Sequence, residues 1–402
     1  MSGFSGARLA RLEAVVADHV ERDIVGGVAW LAGRDGSVEG GVAGVLTRGE
    51  PRPVRRDTLF RISSMSKPIA AVAALILVEE CRLRLDDPVD ELLPELADRR
   101  VLVDARGPID GETVPASRPI TVRDVLTFRL GLGMDFEAPW PQPLIQAMGE
   151  LELGSGPPAP QVPPEPDEWM RRLGTLPLLY QPGEHWLYDT GSDVLGVLIA
   201  RAAGQPLEGF LRERVFEPLG MVDTGFAASS VDRLGSCYTL DVQTGNPVLY
   251  DPPDGQWAKP PAFPSAAGGL VSTLDDIYAF GAMLLSGGRL LDGSRLLSSA
   301  SIQAMTVDHL GVDRGAPGPS PDGAQGWGFG VGVQVRRTGL VPSVGGYGWA
   351  GGLGTSWAND PAQGLVGVVL TTDMFTAAYP PPRMIQDFWT CVYAALEEGA
   401  GT

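Results

Sequence analysis

Histidine and cysteine are scarce in this chain of 402 residues, which limits the chemistry it can carry out. There are three histidines (His19, His185 and His309) and three widely separated cysteines. No two cysteines have zinc-ligand spacing and no two histidines stand four residues apart, so we expect no His/Cys metal site. We also expect no other cofactor. Because the cysteines form no disulfide framework, they favour a reducing compartment.

Positive charge is also in short supply: 31 Lys and Arg face 49 Asp and Glu, for a net charge of −18. Nucleic acids and anionic membranes reward basic surfaces, so neither is expected as a partner. The sequence has no uninterrupted apolar run of about 18 residues, and its N-terminus lacks the features of a secretory signal. We therefore expect a cytoplasmic protein that acts on a small molecule. The sequence leaves its oligomeric state open.

The order of helical and strand patterns predicts an α/β fold of the α+β type. Both ends of the chain (1–115 and 265–402) are predicted to form one α/β domain, with a mostly helical domain (116–264) inserted between them. The predicted helices cover 7–22, 65–81, 121–127, 192–218 with a break near Gly204, 273–286 and 383–397. The predicted strands cover 26–33, 37–46, 328–336, 341–349, 353–359 and 364–371.

The first candidate for chemistry is Ser64-Met65-Ser66-Lys67, at the start of an almost wholly apolar helix. Three residues along a helix bring Lys67 back to the face of Ser64, and a lysine whose pKa is lowered by burial can act as a base. The helix N-terminus also offers N–H groups to an oxyanion. The alternative is that Ser63 or Ser64 only caps the helix and Lys67 is solvated.

The second candidate is Tyr188, on a predicted loop just before a buried helix. A phenol near a cation can relay a proton, although a tyrosine here could equally be a packing residue. A Ser-His-Asp triad would need His185 or His309, and the chain has no G-x-S-x-G nucleophile elbow. The triad is therefore the weaker hypothesis.

The third candidate is the glycine-rich stretch over 346–354. Glycine weakens a strand unless something must approach its backbone closely, such as a substrate taking N–H hydrogen bonds along the strand edge. A surface hairpin is the alternative. Four aromatics of the chain, Trp186, Trp257, Tyr347 and Trp349, could line a pocket or equally belong to the core.

The order and spacing of these three segments resemble the serine β-lactamase and penicillin-binding-protein superfamily. The likeness is greatest to class C β-lactamases and family VIII carboxylesterases, and it spans roughly residues 10–395. It rests on FRISSMSKPIAA, PGEHWLYDTGSDVLGVLIARAAG and AAGGLVSTLDDIYAFGAMLL. The resemblance implies an antiparallel sheet flanked by helices.

The resemblance also implies roles for particular residues. Ser64 would be the acylated nucleophile, Lys67 its base partner, and Tyr188 the general base and acid shared with Lys67. The oxyanion hole would consist of the backbone N–H groups of Ser64 and Gly352.

Two departures from the family pattern affect the expected substrate. Thr190 replaces the asparagine of the Tyr-x-Asn motif, and Trp349-Ala350-Gly351 replaces the Lys-Thr-Gly triplet. In β-lactamases and peptidases that lysine attracts a substrate carboxylate, whereas a tryptophan lines an apolar pocket. We therefore expect Trp349, Ala350, Gly351 and Thr190 to contact a small neutral ester, and a carboxylesterase activity. A β-lactamase, a D-amino-acid peptidase, an acyltransferase and a catalytically silent binding protein are the alternatives.

Overall fold

A seven-stranded antiparallel sheet joins the two ends of the chain. The computed structural model describes residues 3–241, 243–312, 318–375 and 383–397. The strands are β1 (Gly27–Arg34), β2 (Ser37–Gly44), β3 (Phe60–Arg61), β4 (Arg100–Leu102), β5 (Thr113–Pro115), β6 (Cys237–Leu240), β7 (Pro247–Asp251), β8 (Val271–Ser272), β9 (Gln325–Trp327), β10 (Gly332–Gln334), β11 (Tyr347–Gly351), β12 (Thr355–Asp360) and β13 (Leu365–Thr371). The strand order in the seven-stranded sheet is β2-β1-β13-β12-β11-β10-β9.

Helices cover both faces of this sheet. The helices are α1 (Gly6–Glu21), α2 (Ser66–Glu79), α3 (Val122–Leu126), α4 (Pro143–Glu150), α5 (Pro166–Leu173), α6 (Thr190–Ala203), α7 (Leu207–Leu211), α8 (Glu217–Leu219), α9 (Leu274–Leu285), α10 (Ser299–Met305) and α11 (Arg383–Ala395). Helices α1 and α11 pack on one face, and α2 and α9 belong to the core on the other. The fold is therefore layered, with the sheet between two helical layers.

Strand β1 shows how the sequence produces these layers. Successive side chains of a strand point to opposite faces. Val28 and Trp30 enter the core beneath α1 and α11, whereas Ala29 and Leu31 enter the larger core of α2 and α9. Because both faces are covered, the strand has no polar side chain before Arg34 and does not alternate.

Helices predominate between α3 and α8, and their ends follow local rules. Thr121 caps α3 in a capping box with Asp124, and Thr273 caps α9 by accepting from the Asp276 N–H. Helix α6 ends at Gly204, which adopts the left-handed conformation that glycine tolerates best (φ 68°). The predicted break in the 192–218 helix is thereby confirmed. The boundaries of the inserted helical domain stay a prediction.

Several element predictions are wrong at the backbone level. Neither Ser63 nor Ser64 caps α2: residues 63–65 form a single 3-10 turn, and α2 begins at Ser66 without a side-chain cap. The strand predicted over 341–349 begins only at Tyr347, because residues 343–346 form a turn in which the Gly346 N–H donates to the Ser343 carbonyl. Helices α4 and α5 were not predicted, although each begins with a proline.

Within the described ranges, no single helix is long and apolar enough to cross a membrane. Helix α6 and the segment Leu207–Leu219 pass that test only as a pair, and they are bent by 80°. Residues 190–199 of α6 are buried in the protein.

A buried ion pair anchors the strand that leads to Ser64. The Arg61 guanidinium donates to the Asp251 carboxylate (Nε to Oδ2, 2.8 Å) and to the carbonyls of Gly235 and Pro252. Both side chains are almost fully buried, and the Arg61 guanidinium also lies over the Trp257 ring. The pair therefore fixes the segment before the nucleophile to the end of β7.

We predict that Arg61→Met destabilises the protein by about 3–5 kcal/mol, because it leaves the Asp251 carboxylate buried without its cation. Adding Asp251→Asn should restore part of the loss. Arg56→Met, which breaks an exposed pair with Asp275, is the matched control and should cost no more than about 1 kcal/mol. Urea unfolding measures all four proteins; equal effects of Arg61→Met and Arg56→Met would contradict the assignment.

Candidate active site

The backbone around Ser64 is held by bonds from three directions. The Ile62 N–H donates to the Leu270 carbonyl (3.0 Å), and the Thr355 hydroxyl donates to the Ile62 carbonyl (3.0 Å). The Ser66 hydroxyl donates to the Ser63 carbonyl (2.7 Å) and accepts from the Leu270 N–H. Ser63 has φ 48°, in the left-handed region, so the chain turns sharply just before Ser64. Ser64 is thus presented by a braced turn.

Lys67 is completely buried directly behind Ser64. Its ammonium nitrogen lies 3.1 Å from Ser64 Oγ, 2.6 Å from Asp189 Oδ1 and 2.6 Å from the Ala267 carbonyl oxygen. It also lies 4.7 Å from the centre of the Tyr188 ring. The structure therefore brings Ser64, Lys67 and Tyr188 together, although Tyr188 comes from a separate segment of the chain.

The charge state expected for Lys67 from the sequence is wrong. Burial alone lowers the pKa of its ammonium, but the Asp189 carboxylate, Tyr188 and Asp193 more than offset this. The net effect is a pKa above the usual lysine value. The expectation rested on burial without a counter-ion. The Asp189 carboxylate changes the direction of the Lys67 pKa shift from downward to upward.

Tyr188 is fixed by pairing of its backbone with the loop after α3. Its N–H and carbonyl exchange hydrogen bonds with Met134 (2.8 and 2.9 Å), and the Leu187 N–H donates to the Phe128 carbonyl. A side chain at Gly133 would collide with the Tyr188 carbonyl oxygen, so this close approach requires glycine. The predicted loop position of Tyr188, just before a buried helix, is confirmed.

An aromatic cluster surrounds the Tyr188 ring, and Trp349 makes the polar contact within it. The Trp349 indole N–H donates to the Tyr188 hydroxyl (2.7 Å). Phe128, Trp186 and Trp327 form the buried centre of the cluster, with Tyr188 and Trp349 packed against it. Trp349 is only half-buried. It can therefore face a substrate while holding the Tyr188 hydroxyl.

The other candidate pocket aromatics belong to the core. Trp186, Trp257 and Tyr347 are buried, and the Trp257 N–H donates to the Gly269 carbonyl. The Tyr347 hydroxyl accepts from the Asn359 side-chain amide. Of the two roles that the sequence leaves open for these aromatics, pocket lining or core, these contacts indicate the core.

The glycine-rich stretch forms the end of β11 and the turn into β12. Gly351 lies so close to Ile62 that a side chain would collide with the Ile62 carbonyl oxygen. Gly352 is exposed on the turn, where its carbonyl accepts from the Phe375 N–H (2.8 Å). Ala350 is half-buried and pairs with Ser356. The predicted oxyanion segment therefore runs beside the nucleophile segment.

Thr190 does not lie with the exposed members of the predicted site. Its side chain is buried at the start of α6, and its hydroxyl contacts Met148 Sδ at 3.9 Å. Thr190 therefore lacks the amide of the family's asparagine, and its side chain is buried.

The histidines are engaged elsewhere. The His185 ring stacks on Tyr180 and lies 3.6 Å from Asp135. His309 Nε2 lies 2.8 Å from the Ala304 carbonyl oxygen, and burial lowers the pKa of this histidine. Since Lys67 is the ionisable group hydrogen-bonded to Ser64, the triad hypothesis finds no support.

Two acidic residues of the site, Asp189 and Asp193, were missed by the sequence analysis. Asp193 is buried on α6, where its Oδ1 accepts from the Ser265 hydroxyl (2.7 Å) and the Ala267 N–H (3.0 Å). It thus positions the residue whose carbonyl binds Lys67. Asp189 adjoins Tyr188 in the sequence, and this adjacency was the available signal.

Asp193 makes the protein's stability depend on pH. Burial and the Asp189 carboxylate raise the pKa of Asp193 to about 7, although its hydrogen bonds and Lys67 oppose this. An unfolded aspartate ionises near pH 4. The stability from the retained proton is therefore full below about pH 4 and is lost as the pH rises through about 7.

We predict that Asp193→Asn becomes more stable relative to wild type as the pH rises from about 4 to about 8, by at most ~4 kcal/mol. Asparagine keeps the accepting Oδ1 but has no such proton to lose. Urea unfolding at both pH values measures the difference, with the exposed Asp18→Asn as control. A difference that does not change with pH would contradict the prediction.

Comparison with known proteins places this site in a family. Residues 12–385 match the family described as Beta-lactamase. A protein of Mycobacterium tuberculosis is 39% identical over 326 residues, covering 78% of this chain and 77% of its own. Esterase EstB of Burkholderia gladioli is 32% identical over 394 residues, covering 92% of each chain.

A solved structure gives the same result for the fold. EstCE1, described as a hydrolase with promiscuous acyltransferase activity, has a TM-score of 0.78 and 26% identity, covering 96% of this chain and 99% of its own. These matches confirm the predicted β-lactamase-like fold and the serine-hydrolase class. The chain belongs to the β-lactamase family.

Proposed function

We propose that this protein is a serine carboxylesterase that cleaves small neutral esters through an acyl-enzyme on Ser64. The observation that carries the proposal is the buried Lys67 ammonium, 3.1 Å from Ser64 Oγ and over the Tyr188 ring. A serine hydroxyl is a weak nucleophile unless a neighbouring group takes its proton. Lys67 is hydrogen-bonded to this hydroxyl, and Tyr188 adjoins Lys67.

The reaction is a two-step acyl transfer. Ser64 loses its proton to the Lys67/Tyr188 pair and attacks the ester carbonyl, while the N–H groups of Ser64 and Gly352 stabilise the oxyanion. The alcohol leaves with the proton returned by Tyr188. Water then attacks the acyl-enzyme and gives up its proton to the same pair, which releases the acid and restores Ser64.

The charge distribution around the site favours a neutral ester over a substrate with a carboxylate. Trp349 stands where the family resemblance places a carboxylate-binding lysine, and its indole N–H is committed to Tyr188. The Lys67 ammonium is already paired with the Asp189 carboxylate and offers no free positive charge. A β-lactam carboxylate would therefore lack a cationic partner at Trp349, so the β-lactamase and peptidase alternatives are disfavoured.

The proposal agrees with the described activities of relatives, namely an esterase for EstB and a hydrolase for EstCE1. EstCE1 is also described as having promiscuous acyltransferase activity, which makes acyl transfer to an alcohol the second candidate. An added alcohol that diverts the acyl group from water at equal total turnover would establish it.

The cellular setting stays a proposal as well. All three cysteines are free, with Cys237 and Cys391 buried, which supports a reducing, cytoplasmic environment.

We predict that a fluorophosphonate probe labels the wild type and that Ser64→Ala abolishes labelling. The variant should lose at least about 10³-fold in kcat/KM on p-nitrophenyl esters of increasing acyl length. Ser294→Ala, on an exposed turn, is the matched control and should retain both. Nitrocefin turnover without ester turnover would favour the β-lactamase alternative, and full activity of Ser64→Ala would refute the proposal.

We predict that Trp349→Phe lowers kcat by about 10- to 100-fold with little change in KM, because the aromatic wall remains but the N–H donated to Tyr188 is lost. Trp327→Phe is the comparison in the same aromatic cluster, since the Trp327 indole N–H has no partner among the described residues. Steady-state kinetics separates the two effects. Equal losses of kcat would show that packing alone explains Trp349.

A further inference from the structure

Asp189 occupies an unusual backbone conformation beside Tyr188. It has φ 84° and ψ −66°, and the Thr190 N–H donates to the Tyr188 carbonyl at 3.3 Å. These values describe a γ-turn, which is rare and strained for a residue with a side chain. Such strain persists where surrounding interactions hold it in place, and it is concentrated at functional sites. The contacts of the Asp189 carboxylate are therefore informative.

The γ-turn directs the Asp189 carboxylate to Lys67. An ammonium has three N–H donors, and three acceptors surround Lys67 Nζ: Asp189 Oδ1, the Ala267 carbonyl and Ser64 Oγ. A neutral amine would satisfy the first two and accept the Ser64 proton with its lone pair. An ammonium would donate to all three. The carboxylate at 2.6 Å favours the ammonium, because an opposite charge at this distance stabilises the charged form.

We propose that Asp189 is a positioning residue that keeps Lys67 an ammonium throughout the reaction and so leaves Tyr188 as the proton acceptor from Ser64. This inference rests on the proposed esterase function and assigns separate roles within it. Asp193 supports this arrangement indirectly. Its carboxylate accepts a hydrogen bond from the Ala267 N–H, and the Ala267 carbonyl accepts one from Lys67.

The proton balance then closes on Tyr188. In its phenolate form Tyr188 takes the Ser64 proton as Oγ bonds to the ester carbonyl carbon, and the Lys67 ammonium stabilises the developing alkoxide. The tyrosine hydroxyl gives that proton to the leaving alcohol as the ester C–O bond breaks. In deacylation the phenolate takes a proton from water and returns it to Ser64 Oγ. Trp349 stabilises the phenolate oxygen through its indole N–H.

The two possible roles of Lys67 predict different responses of the alkaline limb to loss of the Asp189 charge. The charged or titratable groups acting on Lys67 are Asp189, Asp193 and Tyr188. Removing the Asp189 charge lowers the pKa of the Lys67 ammonium. If activity requires the ammonium, the alkaline limb of kcat/KM moves to lower pH. If activity requires a neutral amine, the alkaline limb does not depend on the ammonium, and only the acid limb follows Lys67 to lower pH.

The test is the pH profile of kcat/KM for wild type, Asp189→Asn and Asp189→Gly between about pH 5 and pH 11. Asparagine keeps the shape and removes the charge. Glycine also removes the backbone strain, so it keeps the test available if the asparagine variant does not fold. Asp18→Asn, on the exposed surface of α1, controls for net charge. We expect both Asp189 variants to move the alkaline limb down by about 1–2 pH units, with Asp18→Asn unchanged.

Other outcomes overturn the inference. A uniform loss at all pH values would indicate a structural role, and an acid limb that moves down while the alkaline limb stays in place would make Lys67 the base. Fluorophosphonate labelling of the same proteins keeps the two proposals separable. An unlabelled, inactive wild type would defeat the esterase proposal, whereas a labelled wild type with an unmoved alkaline limb in the variants would defeat this inference alone.

Discussion

The buried ammonium of Lys67 is the constraint on which the rest of the active site depends. A charge can be buried only where partners replace water, and each N–H of Lys67 has one. Those partners come from the nucleophile turn, the start of α6 and the segment before β8. The site therefore exists only when the two ends of the chain and the helical middle are folded together.

The small number of histidines agrees with a site built around Lys67. None of the three histidines bonds to Ser64 among the described residues; Asp387, Asp135 and the Ala304 carbonyl are the groups beside them instead. In the proposed mechanism Tyr188 transfers the proton, and the Lys67 ammonium stabilises the charge that develops on Ser64. Trp349 donates to the Tyr188 hydroxyl and stands where the family resemblance places a cation that attracts anionic substrates. In this proposal a single residue connects substrate choice with catalysis.

Much of this arrangement could be predicted because it is local or carried by motif order. Ser64 and Lys67 are three residues apart, and the apolar run after them predicts a buried helix. Tyr188 and Trp349 required the family resemblance, since about 160 residues separate them. Asp189 adjoins Tyr188, but its role does not follow from that adjacency, because its γ-turn has no glycine to indicate it and its partner lies 122 residues earlier. The prediction that Ser63 or Ser64 caps α2 was wrong because both serines belong to a separate 3-10 turn.

The charge of Lys67 is the most direct test of this account, and the sequence makes it measurable. Lys67 and Lys259 are the only lysines in the chain. Isotopic labelling of lysine side chains therefore gives two sets of NMR signals, which Lys259→Arg assigns. The account predicts that Lys67 titrates above the usual range of a lysine side chain, and that Asp189→Asn brings its midpoint down. A Lys67 that is already neutral near pH 7 in the wild type would contradict it.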